Sequence, residues 1–169
     1  MNGANQLVFV DLVSDNYFRV LGVRAAVGRM LVESDARFEG TPPVVLTYSL
    51  WQRKFGGAAD IVGKTIMLQF QPCHVVGVAP RDLLAPSQHL ISNDAWAPMN
   101  AATLLGGRQG MTQRGKGIVD ITLRLRHGVS RQQAETTLSA IAAQLNREYP
   151  ATNRAKTVSL ALRPIGGRP

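Results

Sequence analysis

The residues of this 169-residue chain that could do chemistry are few and scattered. Glu33 and Asp35 lie two residues apart and could form a general acid and base, because paired carboxylates can exchange a proton with a substrate. Beside Ser34, the same carboxylates are also typical of a helix start, where a side-chain oxygen accepts a free backbone N–H. The spacing favours Ser34 and Asp35 as caps of a helical turn over an acid–base pair.

The chain offers no organised set of metal ligands. Its histidines are His74, His89 and His127, and none stands at ligand spacing from another. Cys73, the single cysteine, is adjacent to His74 in a strand-like run, so the two side chains point to opposite faces. One cysteine also excludes a disulfide framework. With no phosphate-binding or nucleophile motif in the sequence, we expect no metal, no cofactor and no enzymatic activity.

A glycine-rich basic stretch, GGRQGMTQRGKG over 106–117, has no periodicity and predicts a loop. Backbone N–H groups at Gly106 and Gly107, with the Arg108 guanidinium, could cradle an anion. A small-ligand or anion-binding module acting at residues 81–117 is therefore an alternative function.

Lys and Arg number 19 against 11 Asp and Glu, a net charge of +8. A basic chain suits nucleic acid, anionic lipid or an acidic partner. The basic residues are dispersed, however, and the aromatic residues do not alternate with them as a base-stacking surface requires. We therefore expect no nucleic-acid binding.

The apolar content of 45% is that of a globular domain, or of two small lobes in one chain. The apolar runs are far shorter than the ~20 residues that cross a bilayer. The first residues, MNGANQLVFVDL, lack the basic and apolar regions of a signal peptide. If the parent is a membrane protein, this chain is expected to be a soluble piece of it.

The first elements are a strand and a short helix. Residues 6–13 place alternate apolar side chains on one face and predict a strand. The helix 16–21 follows, capped by Ser14 or Asp15, and Gly22 fits the left-handed position that ends it. Its expected core residues are Tyr17, Phe18 and Leu21.

The middle of the chain predicts a strand, a helix and a hairpin. Residues 44–47 are a buried strand, and the next helix begins at Ser49 and ends at Gly56-Gly57. Its Trp51 and Phe55 are four residues apart and share a face.

Two strand-like runs, 65–70 and 73–78, surround a turn at Gln71-Pro72. Gly77 within the second run indicates a bulge or a close backbone approach. Residues 94–99 predict a strand fragment that packs Trp96.

Toward the end, residues 118–126 alternate and predict a half-exposed strand. Ser130 and Gln133 have the spacing of a capping box, and the helix they open runs to about Glu148. Residues 157–163 predict a final strand. The apolar stripe of the helix is Ala134, Leu138, Ile141, Ala142 and Leu145.

Several phrases, in this order and spacing, resemble the extracytoplasmic core domain of MacB-like, FtsX-superfamily ABC transporter permeases. They are VSDNYFRVLGV (13–23), VGRMLVESDAR (27–37), PPVVLTYSLWQRKFGG (42–57) and IVGKTIMLQFQPCHVVGVAP (61–80). WAPM (96–99) and RLRHGV (124–129) continue the likeness, whereas Leu31 stands where the family usually has phenylalanine. The residues that match family motifs are Tyr17, Phe18, Gly22, Gly28, Arg29, Asp35, Trp51, Phe55, Gly63, Gly77, Trp96, Pro98 and Gly128.

The resemblance implies an α+β fold with mixed sheets, in which residues 1–169 form one extracytoplasmic core domain. It implies a porter-like βα lobe, residues 1–27 and 118–169, with an inserted Sabre-like α/β lobe, residues 28–117. Such a domain is non-catalytic and couples cytoplasmic ATP hydrolysis to efflux or export movements outside the membrane.

The resemblance also implies the location and the partners. The domain would lie at the extracytoplasmic (periplasmic) face of the inner membrane. Its partners would be the membrane-embedded remainder of the permease, a separate or fused nucleotide-binding domain, an adaptor or outer-membrane channel, and a second copy in a dimer. Glycine-rich segments flank the insertion, so we expect the two lobes to move relative to each other.

Overall fold

A computed structural model describes residues 8–83, 93–105 and 120–153 of the chain. These residues fall into two compact units, one holding 8–83 and 93–105 and the other holding 120–153. The predicted strand 157–163 and the loop 106–117 lie outside the described residues. None of the helices in the described ranges is long and apolar enough to span a membrane.

One mixed six-stranded sheet organises the first unit. Its strands are β1 (Val10–Val13), β2 (Val27–Gly28), β3 (Pro43–Leu46), β4 (Thr65–Leu68), β5 (Gln71–Val78) and β6 (Ala95–Pro98). They lie in the order β1-β6-β3-β5-β2, and β4 also pairs with β5. The β1–β6 and β3–β5 pairs are parallel and the other pairs are antiparallel. β2 and β4 lie along the same side of β5, because β3 occupies the other side.

Helices cover both faces of this sheet. α2 (Tyr48–Phe55) packs on one face, where Leu50 and Trp51 join the larger apolar core. α1 (Tyr17–Leu21) packs on the other, where Phe18 lies edge-on against Trp96 with ring centroids 5.5 Å apart. Short 3-10 helices span Glu33–Arg37 and Met99–Thr103.

A bulge in β5 sets which side chains enter each core. The register with β3 shifts after Val75, so Val76 is the extra residue. Because of this shift, Val75 and Val78 both face the α2 core, whereas Val76 faces the α1 core. The predicted bulge or close approach at Gly77 is confirmed.

The expected C-terminal caps of α1 and α2 are confirmed, whereas the expected N-terminal cap of α1 is wrong. Gly22 and Gly56 have φ of 68° and 60° and end α1 and α2 as predicted. Neither Ser14 nor Asp15 caps α1; Asn16 stands at the N-cap without a side-chain capping bond. The Ser14 hydroxyl instead donates to the Asn16 side chain, at 2.8 Å.

Two predicted boundaries were also wrong by one or two residues. Thr47, expected at the end of the strand, is the N-cap of α2 and accepts from Leu50 N–H, so the helix starts at Tyr48. The β4–β5 turn lies at Gln69 and Phe70 rather than at Gln71-Pro72. Gln71 pairs with Leu68 and therefore already belongs to β5.

In the second unit, α3 (Arg131–Glu148) begins with the predicted capping box between Ser130 and Gln133. The predicted strand 118–126 is wrong over its described part, 120–126, which forms no ladder. Ile121 there is 81% exposed, because alternation produces a strand only where a neighbouring strand and a core accept it.

Candidate functional site

Arg29, Asp35 and Val32 form an ion-paired corner at the end of β2, called here the Arg29 clamp. The Arg29 guanidinium donates both of its terminal N–H groups to Asp35, at 2.6 and 2.8 Å. The same carboxylate accepts the backbone N–H of Val32 at 2.8 Å. The N-cap position is held by Val32 rather than by Ser34 or Asp35. Asp35 is the third residue of the 3-10 helix, and its side chain contributes to the helix start by accepting the Val32 N–H, while its bonds to Arg29 tie the helix to the end of β2.

The charge of Asp35 is stabilised in this corner. Burial alone would raise the pKa of the Asp35 carboxyl, because its side chain is only 8% exposed. The hydrogen bonds from Arg29 and from the Val32 N–H, together with the guanidinium charge, outweigh that burial and hold the pKa below its ordinary value of 3.8. Asp35 is thus a structural anion.

The acid–base alternative for Glu33 and Asp35 is not supported by their geometry. Both Asp35 oxygens are engaged, and Glu33 is highly exposed and lies 3.8 Å from Arg37. The surface depression beside the clamp, about 430 Å³ and lined partly by Thr65 and His74, is open to solvent. Two separately occupied carboxylates cannot share a substrate proton.

The backbone of Gly28 and Arg29 lies very close to the backbone of Val76 and Gly77 in β5, next to the Arg29 clamp. A Cβ on Gly77 would overlap the carbonyl oxygen of Arg29, and a Cβ on Gly28 would overlap that of Val76. Gly28 also has φ of 69°, a conformation that costs other residues energy. The sequence-matched residues Gly28, Arg29, Asp35 and Gly77 therefore meet at one place.

A second ion-paired site, called here the Asp94 clamp, connects α2 with the starts of β1 and β6. Asp94 accepts from Arg53 of α2 at 2.8 Å and from the Phe9 N–H at 3.2 Å, just before β1. It directly precedes β6 and is almost buried. Sequence reasoning missed this clamp, because no local motif connects Arg53 with a carboxylate 41 residues away.

The remaining sequence-predicted residues are distributed over the fold. Trp51 Nε1 donates to the Ala58 carbonyl at 3.0 Å, and Phe55 is half-buried in the same core. Gly63 donates its N–H to Val75 at 2.9 Å. The others occupy separate places: Tyr17, Phe18 and Gly22 in and after α1, Trp96 and Pro98 in β6, and Gly128 before α3.

Cys73 and His74 point to opposite faces of β5, as predicted: Cys73 is fully buried and His74 is exposed. His127 lies in the second unit and His89 outside the described residues. Within the described ranges, no three Cys, His, Asp or Glu side chains are grouped closely enough to hold a metal ion. The anion-binding alternative at residues 81–117 falls largely outside the described residues.

We expect Asp35→Asn to lower the free energy of unfolding by about 1–2 kcal/mol at neutral pH, because an amide loses the charge-assisted bonds from Arg29. Since the folded pKa of Asp35 lies below 3.8, its contribution is present above that pH. It is lost as the pH falls through the lower folded value. Urea unfolding of both proteins at about pH 7, 5 and 3 measures the difference. It should shrink at the lowest pH; a difference that stays constant would contradict the assignment.

Comparisons with known proteins identify the family of this chain. The family model for the MacB-like periplasmic core domain matches residues 1–141. The chain belongs to the MacB-like periplasmic core domain family, which confirms the resemblance seen in the sequence.

Two curated relatives illustrate the match. The chain is 30% identical over 139 residues to a probable export ATP-binding/permease protein of Pseudomonas fluorescens (strain Pf0-1), covering 80% of this chain and 20% of that protein. It is 30% identical over 131 residues to the macrolide export ATP-binding/permease protein MacB of Hahella chejuensis, covering 76% and 18%. The chain thus spans about a fifth of the length of these relatives.

Two solved structures share the fold. They are the periplasmic region of MacB from Actinobacillus actinomycetemcomitans, with 20% identity and a TM-score of 0.53, and the extracellular domain of the ABC-type transporter YknZ from Gram-positive bacteria, with 18% and 0.57. Each alignment covers 85% of this chain, and 58% and 65% of the respective structure. The predicted α+β class with a mixed sheet is confirmed.

Proposed function

We propose that this chain is a non-catalytic extracytoplasmic domain of an ABC transporter permease, and that it passes movement driven by cytoplasmic ATP hydrolysis to export outside the inner membrane. The family and the printed functions of the relatives support the class of protein. The relatives are ATP-binding/permease proteins of which the aligned part is about a fifth, so the membrane-embedded remainder and a nucleotide-binding domain, fused or separate, would be its partners. An adaptor or outer-membrane channel, and a dimeric partner copy, belong to the same proposal.

The Asp94 clamp is the observation that carries the mechanical part of this proposal. A domain that transmits movement must resist deformation where force enters it. β1 is the first described strand and lies at one end of the sheet order, where only β6 pairs with it among the described strands. Asp94 binds the backbone N–H just before β1 and also binds α2, so a pull on β1 would be carried into the helix as well as into the sheet.

The family-motif residues have a corresponding role in this proposal. Gly28, Arg29, Asp35 and Gly77 would fix the shape of the inserted lobe at the Arg29 clamp, and Trp51 would fix α2. The lobe boundaries, 1–27 with 118–169 against 28–117, remain a prediction. β1 belongs to the proposed porter-like lobe and β6 to the proposed inserted lobe, and these two strands are paired neighbours in one sheet.

The test is Asp94→Asn in the full-length permease, reconstituted in lipid vesicles. We expect transport to fall at least fivefold while ATP hydrolysis stays within about twofold of wild type. The substitution weakens the connection between β1 and α2 and leaves the nucleotide-binding domain unchanged. Asp60→Asn is the matched control, since it also removes a carboxylate from an ion pair, the Asp60–Lys64 pair at 2.6 Å on the surface. Asp94→Asn transport equal to that of Asp60→Asn, with both variants folded, would refute the mechanical role.

A further inference from the structure

The surface depression beside the Arg29 clamp has the size and the mixed lining of a small-ligand site. Its volume is about 430 Å³, within the range of roughly 300–1,000 Å³ in which proteins hold small molecules. Two buried side chains, Pro43 and Val76, and the half-buried Phe38 supply the apolar part of the lining. Polar side chains from β4, from β5 and from the segment between β2 and β3 supply the rest. Such a lining holds an apolar body and orients it by a few hydrogen bonds.

The sheet places two of these polar groups side by side. Thr65 of β4 and His74 of β5 are a registered antiparallel pair, and both line the depression. Paired residues of an antiparallel ladder present their side chains to the same face, with Cβ atoms about 5 Å apart. Neither the Thr65 hydroxyl nor the His74 imidazole makes a hydrogen bond to another described residue. A rigid backbone therefore presents two neighbouring polar groups to a ligand.

The Arg29 guanidinium adds hydrogen-bond donors whose orientation is already fixed. Two of its five N–H groups bind Asp35, and a third binds the Met30 carbonyl at 3.2 Å. The remaining two, on Nε and Nη2, have no acceptor among the described residues, and the side chain is 49% exposed. They share one edge of the guanidinium and form a fork that matches the two oxygens of a carboxylate. Because the bonds to Asp35 hold the guanidinium before a ligand arrives, binding costs little conformational entropy.

The same lining disfavours a cationic ligand. Asp35 is the only carboxylate among the described residues that line the depression, and its two oxygens already accept three N–H groups, from Arg29 and Val32. A cation would therefore meet no carboxylate oxygen without a partner. A doubly charged phosphate also fits poorly, because the Arg29–Asp35 pair is neutral as a whole and cannot balance two negative charges.

We propose that this depression binds a small carboxylate with an apolar body. The carboxylate accepts from the free edge of Arg29 and from the Thr65 hydroxyl, and the apolar body packs on Phe38, Pro43 and Val76. Selectivity for the anion comes from these charge-assisted hydrogen bonds, which are about twice as strong as neutral ones. The proposal does not depend on the export function.

The test titrates the 169-residue chain with benzoate, phenylacetate and isocaproate, followed by two-dimensional proton–nitrogen NMR. At least one of these carboxylates should bind with a Kd of roughly 1 mM or tighter, and the largest shifts should include the backbone signals of Thr65 and His74. The primary amide of that compound has the same body without the charge and should bind at least about tenfold more weakly. Absence of binding by all three carboxylates, equal affinity of the amide, or shifts confined to other residues would overturn the proposal.

Substitutions then assign the binding to individual lining residues. Thr65→Val removes one hydroxyl with little change of shape and should raise the Kd about 5- to 10-fold. Thr103→Val makes the same change at an exposed threonine outside the lining and should leave the Kd within about twofold. Arg29→Lys keeps the charge and removes the fork, so it should raise the Kd at least about 10-fold. Because Arg29→Lys also disturbs the bonds to Asp35, Thr65→Val decides the outcome if that variant unfolds. Equal Kd values for the two valine variants would refute the assignment.

Discussion

Gly77→Ala is expected to lower the free energy of unfolding of the first unit by about 3 kcal/mol or more. A Cβ at this position would overlap the Arg29 carbonyl, and this obstacle is backbone that cannot rotate away. β2 and β5 would have to separate at Gly28–Gly77, one of their two registered pairs. Overpacking of this kind costs 1–3 kcal/mol in ordinary cores, and more where backbone must move.

Gly40→Ala is the matched control for that substitution. Gly40 has φ of 72°, and a Cβ there would meet nothing within 4 Å. It should therefore cost about 1 kcal/mol, from backbone conformation alone. Urea unfolding followed by tryptophan fluorescence reports on the first unit, since both tryptophans, Trp51 and Trp96, lie in it. Equal losses for the two variants would show that the close approach at Gly77 is absent.

Trp96→Ala is expected to be similarly damaging, at about 4 kcal/mol, because it empties the core beneath α1. Trp96 is 2% exposed and packs edge-on against Phe18. Its indole N–H has no hydrogen-bond partner within the described part of the chain. The stabilisation from Trp96 should therefore come from apolar packing.

A comparison of Trp96→Phe with Trp51→Phe measures how much the hydrogen bond of the Trp51 indole contributes to the free energy of unfolding. Both substitutions remove the same volume, but only Trp51→Phe breaks a bond, from Nε1 to the Ala58 carbonyl at 3.0 Å. Trp51→Phe should be the more costly of the two by about 1 kcal/mol. The same unfolding assay measures both variants through the remaining tryptophan. A larger loss in the free energy of unfolding for Trp96→Phe than for Trp51→Phe would show that the Trp96 indole N–H does donate to an acceptor.

The elements that local chemistry specifies were predictable from the sequence. The glycine that ends α1 and the capping box of α3 depend on residues a few positions apart, so their spacing is visible in the chain. The bulge at Gly77 was predictable for the same reason, because glycine inside a β-branched run has few other uses. The hairpin turn was misplaced, since Gln-Pro is a common turn signal and Gln-Phe is not.

Contacts between distant residues were beyond such reasoning. Arg53 and Asp94 meet only because β6 inserts between β1 and β3 in the sheet. The pairing of Arg29 with Asp35 spans only six residues, but it depends on the course of the chain between β2 and the 3-10 helix, which residue spacing alone does not predict. At residues 120–126 the alternation was real, but a strand also needs a neighbour, which a single segment cannot reveal.

The most direct test of the proposed mechanism is to lock the two parts of the domain together in the full-length permease. One cysteine is placed within residues 28–105 and the other on α3, from a panel of pairs; the native Cys73 is fully buried and can remain. Transport and ATP hydrolysis are measured in lipid vesicles before and after oxidation, and again after reduction. We expect the disulfide to reduce transport more than tenfold while the domain stays folded and ATP hydrolysis continues, with recovery on reduction. Full transport through a completely crosslinked domain would contradict the proposal that its parts must move to drive export.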